Sequence, residues 1–430
     1  MNLEEIKNLE REEFKLRDKT LSFIASENYC SEDVLEANGS IFCQVYSEGF
    51  PQKRYYEGSE VVDVVEQECI NACLELFGAK DEYYANVQPN SGASANIIAY
   101  NAILKPNDVI LAPDTASLGH ISHSHPKSLL AKYHQVEIYS VDENGLLNYD
   151  EIEKLAIKYS PKLIIAGASN YPREIDYKRF REIADKVGAY LLADIAHTNI
   201  FHAHGLLMSP VGYADIITSS SHKALGSTRS GFIIYKQDLH KAMCTSTIPT
   251  CFGGPLNHLT YAKLIGFKEA MTDKAKEYSK QVFKNAKQMV DTFKLNNIPV
   301  ITGNTENHLC TIDLSNFNIN GKDLSVILHE CNLTTNANTI PTDTSFLRPS
   351  GVRLGCCAIT KRGLKEDEVE VLIQAVSNII NLYKNGQIPS ETELVKHKCE
   401  LHFLVELLTN KYPLINMYPK TYSKLFREEV

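Results

Sequence analysis

The sequence predicts an α/β chain in which a mostly parallel, doubly wound sheet forms a large domain and a smaller C-terminal α+β domain follows. Three observations carry this. A chain of 430 residues that is 43% hydrophobic has material for a large core and, by its length, for two or three domains. Short apolar runs at Val109-Ile110-Leu111, 136–141, Leu163-Ile164-Ile165, 190–195, Ile216-Ile217 and Phe232-Ile233-Ile234 alternate with helical patterns such as 150–159 and 177–187, the rhythm of parallel strands joined by crossover helices. After a long helical stretch at 258–295 the rhythm changes to strands near 299–301 and 308–314, a helix at 322–331 and another after Lys365. In a sheet of this kind ligands bind outside the strand ends.

Composition narrows the chemistry. The formal net charge is -9 and no long Lys/Arg block occurs, so a nucleic-acid or anionic-membrane partner has no compositional support. No apolar run reaches the length of a membrane span. Eleven cysteines are scattered, with Cys356-Cys357 adjacent and no CxxC pair, which reads as reduced thiols in an intracellular, cytoplasmic protein. Residues 1–20 mix charges of both signs and read as a helix rather than a leader. Small-molecule chemistry is the default.

Taken in order, residues 61–77 place Val61, Val64, Val65, Cys69, Cys73, Leu76 and Phe77 on one helical face, and Gly78 ends that helix. The loop before it, 46–58, is dense in Tyr, Ser, Gly and charge, and Tyr46, Glu48, Tyr55 and Tyr56 fit either a site or a polar rim. Ser91-Gly92-Ala93 opens a helix, and free N–H groups there suit an anion as readily as a plain cap. His120, His123 and His125 lack a second ligand cluster for zinc. One of them facing a planar ligand is the sharper reading, and surface histidines remain the plain one for His123 and His125. Asp194 follows an apolar run, and a buried carboxylate there needs a cationic or hydrogen-bonding partner. Lys223 follows Ile216-Ile217 through four hydroxyl residues. Desolvation in such a pocket makes a lysine amine easier to deprotonate, as Schiff-base chemistry requires. Residues 335–341 read as a polar loop, and the tail from about Glu391 as partly helical.

In unbroken order from about Leu21 to Ala375, the stretches IASEN (24–28), YSEGFPQKRYYEG (46–58), NVQPNSG (86–92), YPREIDY (171–177), ADIAH (193–197), SHKAL (221–225), FGGP (252–255), NHL near 307 and SGVRLG (350–355) resemble serine hydroxymethyltransferase. The resemblance implies an aspartate aminotransferase-like, fold type I pyridoxal 5'-phosphate enzyme. It implies an N-terminal helix and dimer segment at 1–55, a large cofactor-binding domain at 56–290 and a C-terminal domain at 291–430. The implied reaction converts serine and tetrahydrofolate reversibly to glycine and 5,10-methylenetetrahydrofolate.

Residue roles follow from the same resemblance. Lys223 would hold the cofactor covalently. Asp194 would pair with the pyridine nitrogen, His120 would stack on the ring, and Ser169 and His197 would lie near the ring oxygen, with His222 among the cofactor contacts. Ser91 and Gly92 would bind the phosphate, joined by Gly253, Gly254 and Tyr46 from a neighbouring subunit. Arg353 would take the substrate carboxylate as a fork, assisted by Ser26 and Tyr56. Glu48, also from the neighbour, would handle the hydroxymethyl proton, and Glu48, Tyr55, Gly119 and Asn338 match folate contacts. A homodimer, or a tetramer of dimers, with shared active sites is implied. No metal is.

The chain also departs from the family pattern at Glu57, Ala93, Thr115, Ser117-Leu118 (of which Ser117 lies outside the residues the structure describes), Ser219 to Ser221, Gly226-Ser227-Thr228, Phe252 and Ala337. These departures motivate two alternatives. One is a folate-independent aldolase or transaldolase of β-hydroxy amino acids; the other is a catalytically weak, cofactor-binding paralogue with a structural or regulatory role.

Overall fold

The run LIIAG at 163–167 is buried at every position, and YLLAD at 190–194 at all but the first, as strands covered on both faces must be. In the computed structural model, which describes residues 1–115, 118–343 and 347–426, the chain divides into two compact units. One is Asp33–Lys280; the other combines Met1–Glu32 with Gln281–Val430.

The first unit is built on seven strands: β1 (Tyr83–Asn86), β2 (Val109–Pro113), β3 (Gln135–Tyr139), β4 (Leu163–Gly167), β5 (Tyr190–Asp194), β6 (Ile216–Ser220) and β7 (Gly231–Lys236). Their order is β1-β7-β6-β5-β4-β2-β3. All pairs are parallel except those of β7, which runs antiparallel to β1 and β6. The predicted doubly wound sheet is therefore present, and its expected runs became strands. Ile98 of the following helix packs in one core with Ile110, Leu163, Leu192, Ile216 and Ile233 from five of these strands.

Three helices position the site: α1 (Glu60–Leu76), α2 (Gly92–Ile103) and α3 (Asn257–Ala270). Helix α1 forms where its apolar period predicts, and Gly78 follows it with φ +64°. Its buried face is rotated at the start, however. Val62 and Glu66 point inward with Cys69, Ala72, Cys73 and Leu76, while Val61 and Val64 are exposed. The cause is an ion pair: Glu66 is drawn inside by Arg54, whose Nη2 donates to it at 2.6 Å. The stretch expected as one long or two consecutive helices is two, α3 and Asp273–Leu295.

In the second unit three antiparallel strands, β8 (Leu309–Asp313), β9 (Asn336–Asn338) and β10 (Gly351–Gly355), lie in the order β8-β10-β9. Strand β9 falls in the segment read as a polar loop. An edge strand needs ladder bonds on one side only, so Asn and Thr there hide it from an apolar-pattern reading. The segment near Val300 makes a single bridge to Ile312 instead of the expected strand. The tail is helical at Glu391–Lys411 and Pro419–Leu425. It is fastened by the fully buried guanidinium of Arg362, which donates to the carbonyls of Thr20, Asp18 and Tyr412. Among the described residues no helix is long and apolar enough to cross a membrane.

Candidate active site

Strand β5 ends in Asp194, and its neighbour β6 runs on into the turn that bears Lys223. The parallel pairing places Asp194 opposite Thr218. Asp194 is almost closed to solvent, and its Oδ2 accepts from Nε2 of His123 and from Nδ2 of Asn96, each at 2.9 Å. Its Oδ1 accepts from the backbone N–H of Ala196 at 3.0 Å. Burial alone would push this carboxyl up; the hydrogen bond and charge of His123 and the Asn96 amide outweigh it and hold the group well below the usual carboxylate range. The site thus keeps a fixed anion at the end of a central strand.

His120 caps the short turn 121–124, its Nδ1 lying 2.8 Å from the Ser122 hydroxyl, and its ring meets that of His123 edge-on at 5.9 Å. Ser169 donates to the Gly119 carbonyl at 2.9 Å, and its N–H to that of Leu118 at 3.0 Å. Gly119 is obligatory here, because a Cβ would stand 2.8 Å from the Pro113 carbonyl oxygen. His197 is buried two residues beyond Ile195.

Lys223 is half-buried in a turn closed by Gly226 N–H to the Lys223 carbonyl at 3.0 Å and Ser227 N–H to the Ser221 carbonyl at 2.9 Å. Beside it, burial first and then the charges of Lys223 and Arg229 bring the His222 imidazole down to about 4. It is neutral at physiological pH. The turn ending in Ser91 opens α2, a helix of twelve residues. Ser91 is its N-cap, accepting from Ser94 N–H at 3.0 Å. A Cβ on Gly231 would stand 2.2 Å from the Ser91 carbonyl oxygen, so that turn and β7 are in direct backbone contact.

A second cluster of this unit gathers Tyr46, Glu48, Tyr56, Gly253 and Gly254. The Tyr56 hydroxyl donates to Glu48 at 3.2 Å, and the Tyr46 and Tyr56 rings lie 5.7 Å apart. Gly254 N–H donates to the Tyr46 hydroxyl at 3.4 Å, and a Cβ on Gly254 would press on the Tyr46 ring at 3.0 Å. Tyr46, Tyr55 and Tyr56 are more than half exposed. The strand segments around them are anchored from within: Arg54 donates to Asp63, Glu66 and the carbonyls of Ser47 and Gly49.

In the other unit, Arg353 sits on the central strand β10, between Thr311 and Asn336 in register. Its Nε donates to Asn336 Oδ1 at 3.2 Å, and burial lowers the guanidinium to about 10, so it stays cationic at neutral pH. Gly355 ends the same strand with its N–H on the Phe23 carbonyl at 2.7 Å and no room for a Cβ against Ala25. This brings Ser26 to the strand that carries Arg353. Asn338 lies on β9 and donates to the Thr339 carbonyl at 2.8 Å.

The residues suit pyridoxal 5'-phosphate on two counts. Two buried polar atoms beside Asp194 and Lys223, Thr218 Oγ1 and His222 Nδ1, have no hydrogen-bond partner among the described residues, and such atoms call for a ligand or water. The donor set also fits: a permanent anion for a ring nitrogen, a lysine, and a helix N-terminus for a phosphate. Sequence reasoning missed Asn96 and kept a surface histidine as the plain reading of His123; His123 is fully buried. The only local signal is its place three residues after His120. Among the described residues no group of three or more His, Cys, Asp and Glu is arranged to hold a metal.

Comparison with known proteins identifies the family. The family profile described as serine hydroxymethyltransferase matches residues 1–376. A serine hydroxymethyltransferase from Coprothermobacter proteolyticus is 44% identical over 411 residues, covering 95% of this chain and 96% of that relative. The chain belongs to the serine hydroxymethyltransferase family, whose fold is that of the fold type I pyridoxal-phosphate-dependent enzymes.

Proposed function

We propose that this enzyme uses pyridoxal 5'-phosphate to convert serine and tetrahydrofolate reversibly to glycine and 5,10-methylenetetrahydrofolate. The observation that carries the reading is Asp194, kept anionic by His123 and Asn96 at the strand end next to the one that leads to Lys223. When bound, the cofactor supplies an electron-accepting ring for the breaking Cα bond. Asp194 would hold a proton on the ring nitrogen, Lys223 would attach the cofactor, and His120, Ser169, His197 and His222 would line the ring. The N–H groups at Ser91 and Gly92 receive the phosphate.

Arg353 binds the substrate carboxylate with Ser26 beside it. Glu48 moves the hydroxymethyl proton and is oriented by the Tyr56 hydroxyl. Tyr55, Gly119 and Asn338 contact the folate. The exposed Tyr46, Tyr55 and Tyr56, with Val61 and Val64, suit an interface with a second copy, which would bring Tyr46, Glu48, Gly253 and Gly254 to the neighbouring site. All eleven cysteines are free thiols, which suits the cytoplasm.

The test is an assay of serine cleavage with and without tetrahydrofolate, alongside the Lys223→Ala variant. Folate-stimulated glycine formation, and loss of the cofactor's visible band in the variant, are expected. Retained cofactor absorbance with threonine or phenylserine cleavage indifferent to folate would replace this reading with the aldolase.

A further inference from the structure

Lys263 of α3 is fully buried and serves none of the roles assigned to the site. Its Nζ donates to the Val87 carbonyl at 2.5 Å and to the Gly231 carbonyl at 2.6 Å. These two carbonyls flank the place where the anion-binding turn meets the strand that comes after the lysine turn. Val87 starts the segment from β1 to Ser91. Gly231 starts β7, its N–H and the Ser230 hydroxyl both donate to the Pro89 carbonyl at 2.9 Å, and a Cβ on it would stand 2.2 Å from the Ser91 carbonyl oxygen. Lys263 therefore spans the junction with a cation. From α1, Glu66, Cys69 and Cys73 face it, and Glu66 is itself held by Arg54 and Gln88. None of these three groups makes a direct ion pair with the ammonium.

The same helix reaches the lysine turn three residues later. A Cβ on Gly266 would stand 2.1 Å from the Ser227 hydroxyl oxygen, and that hydroxyl faces the Ala262 carbonyl at 3.5 Å. One face of α3 thus sets both the turn at 226–228 and the junction of 87–91 with 230–231. A buried lysine that satisfies only carbonyls bears a desolvation cost that an apolar residue would not. Two charge-assisted hydrogen bonds between segments far apart in sequence offset that cost by fixing their relative position.

We propose that Lys263 is a positioning residue for the phosphate-binding turn, holding the N–H groups that open α2 in the geometry that grips a phosphate ester. This role rests on the cofactor reading and adds to it a residue that touches neither cofactor nor substrate.

The test compares full-length protein freed of cofactor with its Lys263→Met variant, whose unbranched chain ends one atom sooner and neither donates nor carries charge. Dissociation constants are measured for pyridoxal 5'-phosphate and for pyridoxal, which lacks the phosphate, and amide exchange is followed at Gly92 to Ser94. The variant is expected to bind the phosphorylated compound at least about tenfold more weakly, to bind pyridoxal within about twofold of wild type, and to exchange those amides faster. Equal weakening of both ligands, or no change in either, would overturn the role. Should Lys263→Met not fold, Lys263→Gln, neutral and one bond too short to reach both carbonyls, is judged by the same ratio. Wild-type protein that bound neither compound would count instead against the cofactor reading, which separates the two failures.

Discussion

Nε2 of His123 stands 2.9 Å from Oδ2 of Asp194, and the histidine is wholly shut off from solvent. Without it, only the Asn96 amide and the Ala196 N–H would offset the cost of burying the carboxylate. Removing one partner of a buried pair leaves an uncompensated charge, so His123→Ala should destabilise the protein by about 3 kcal/mol at neutral pH. The sign of its pH dependence is set by Asp194, whose folded pKa is depressed from the ordinary value of 3.8. The wild-type advantage is full above that value and shrinks as pH falls below it. Urea unfolding of both proteins at pH 7 and near pH 3, below that value, measures this; an equal loss at both would show that His123 acts by packing alone.

Gly231→Ala isolates the contact between β7 and the turn that opens α2. Its Cβ would stand 2.2 Å from the Ser91 oxygen and 3.1 Å from the Gly92 nitrogen, so backbone must move. Overpacking of this kind costs about 1–3 kcal/mol, and the displaced N–H groups should weaken phosphate-ester binding as well. Denaturation midpoint and cofactor titration should shift together, whereas a stable variant with normal affinity would mean that the turn can give way.

How much of the fold and site is legible in the sequence depends on range. Strands such as LIIAG are legible because both faces are apolar, and the helix 177–187 because its period is clean and its ends are Asp176 and Gly188. Lys223, Asp194 and Arg353 stand in recognisable strings. His123, Asn96 and Lys263 do not, since each acquires its role from a partner 71, 98 or 176 residues away. Lys263 lies in a helix of mixed apolar and polar residues, NHLTYAKLIGFKEA, where a lysine reads as a solvated residue. The rotated face of α1 has the same origin: Glu66 faces inward because Arg54, twelve residues earlier, meets it there.

Arg54 should resist conservative replacement. Its three nitrogens make four contacts, with Asp63, Glu66 and the carbonyls of Ser47 and Gly49, a fork that an ammonium cannot reproduce. Burial pushes the Glu66 carboxyl up, and Arg54 first and then Gln88 oppose the shift. Arg54→Lys is therefore expected to cost about 2–4 kcal/mol and to lower turnover by loosening the segment that carries Glu48. The double variant Arg54→Met with Glu66→Leu should recover much of the stability but not the turnover. Thermal unfolding and serine cleavage, compared across the three proteins, separate the two effects.

Lys263 provides the clearest pH signature. Burial brings its pKa from 10.5 down to about 8, opposed in part by Cys69, Cys73 and Glu66. Between those two values the unfolded chain keeps the proton and the folded protein has released it, so stability contributed at this site rises with pH across the window. Below pH 8 the cost of burying the ammonium is borne in full. Other groups titrate in the same range, notably the cysteine thiols of the unfolded chain, but they are common to wild type and Lys263→Met. The difference in unfolding free energy between the two proteins should therefore move in favour of wild type by on the order of 2–3 kcal/mol from pH 8 to pH 10.5. Chemical denaturation at half-unit steps measures it, and a flat difference would mean that Lys263 titrates in the folded protein as it does in the unfolded chain.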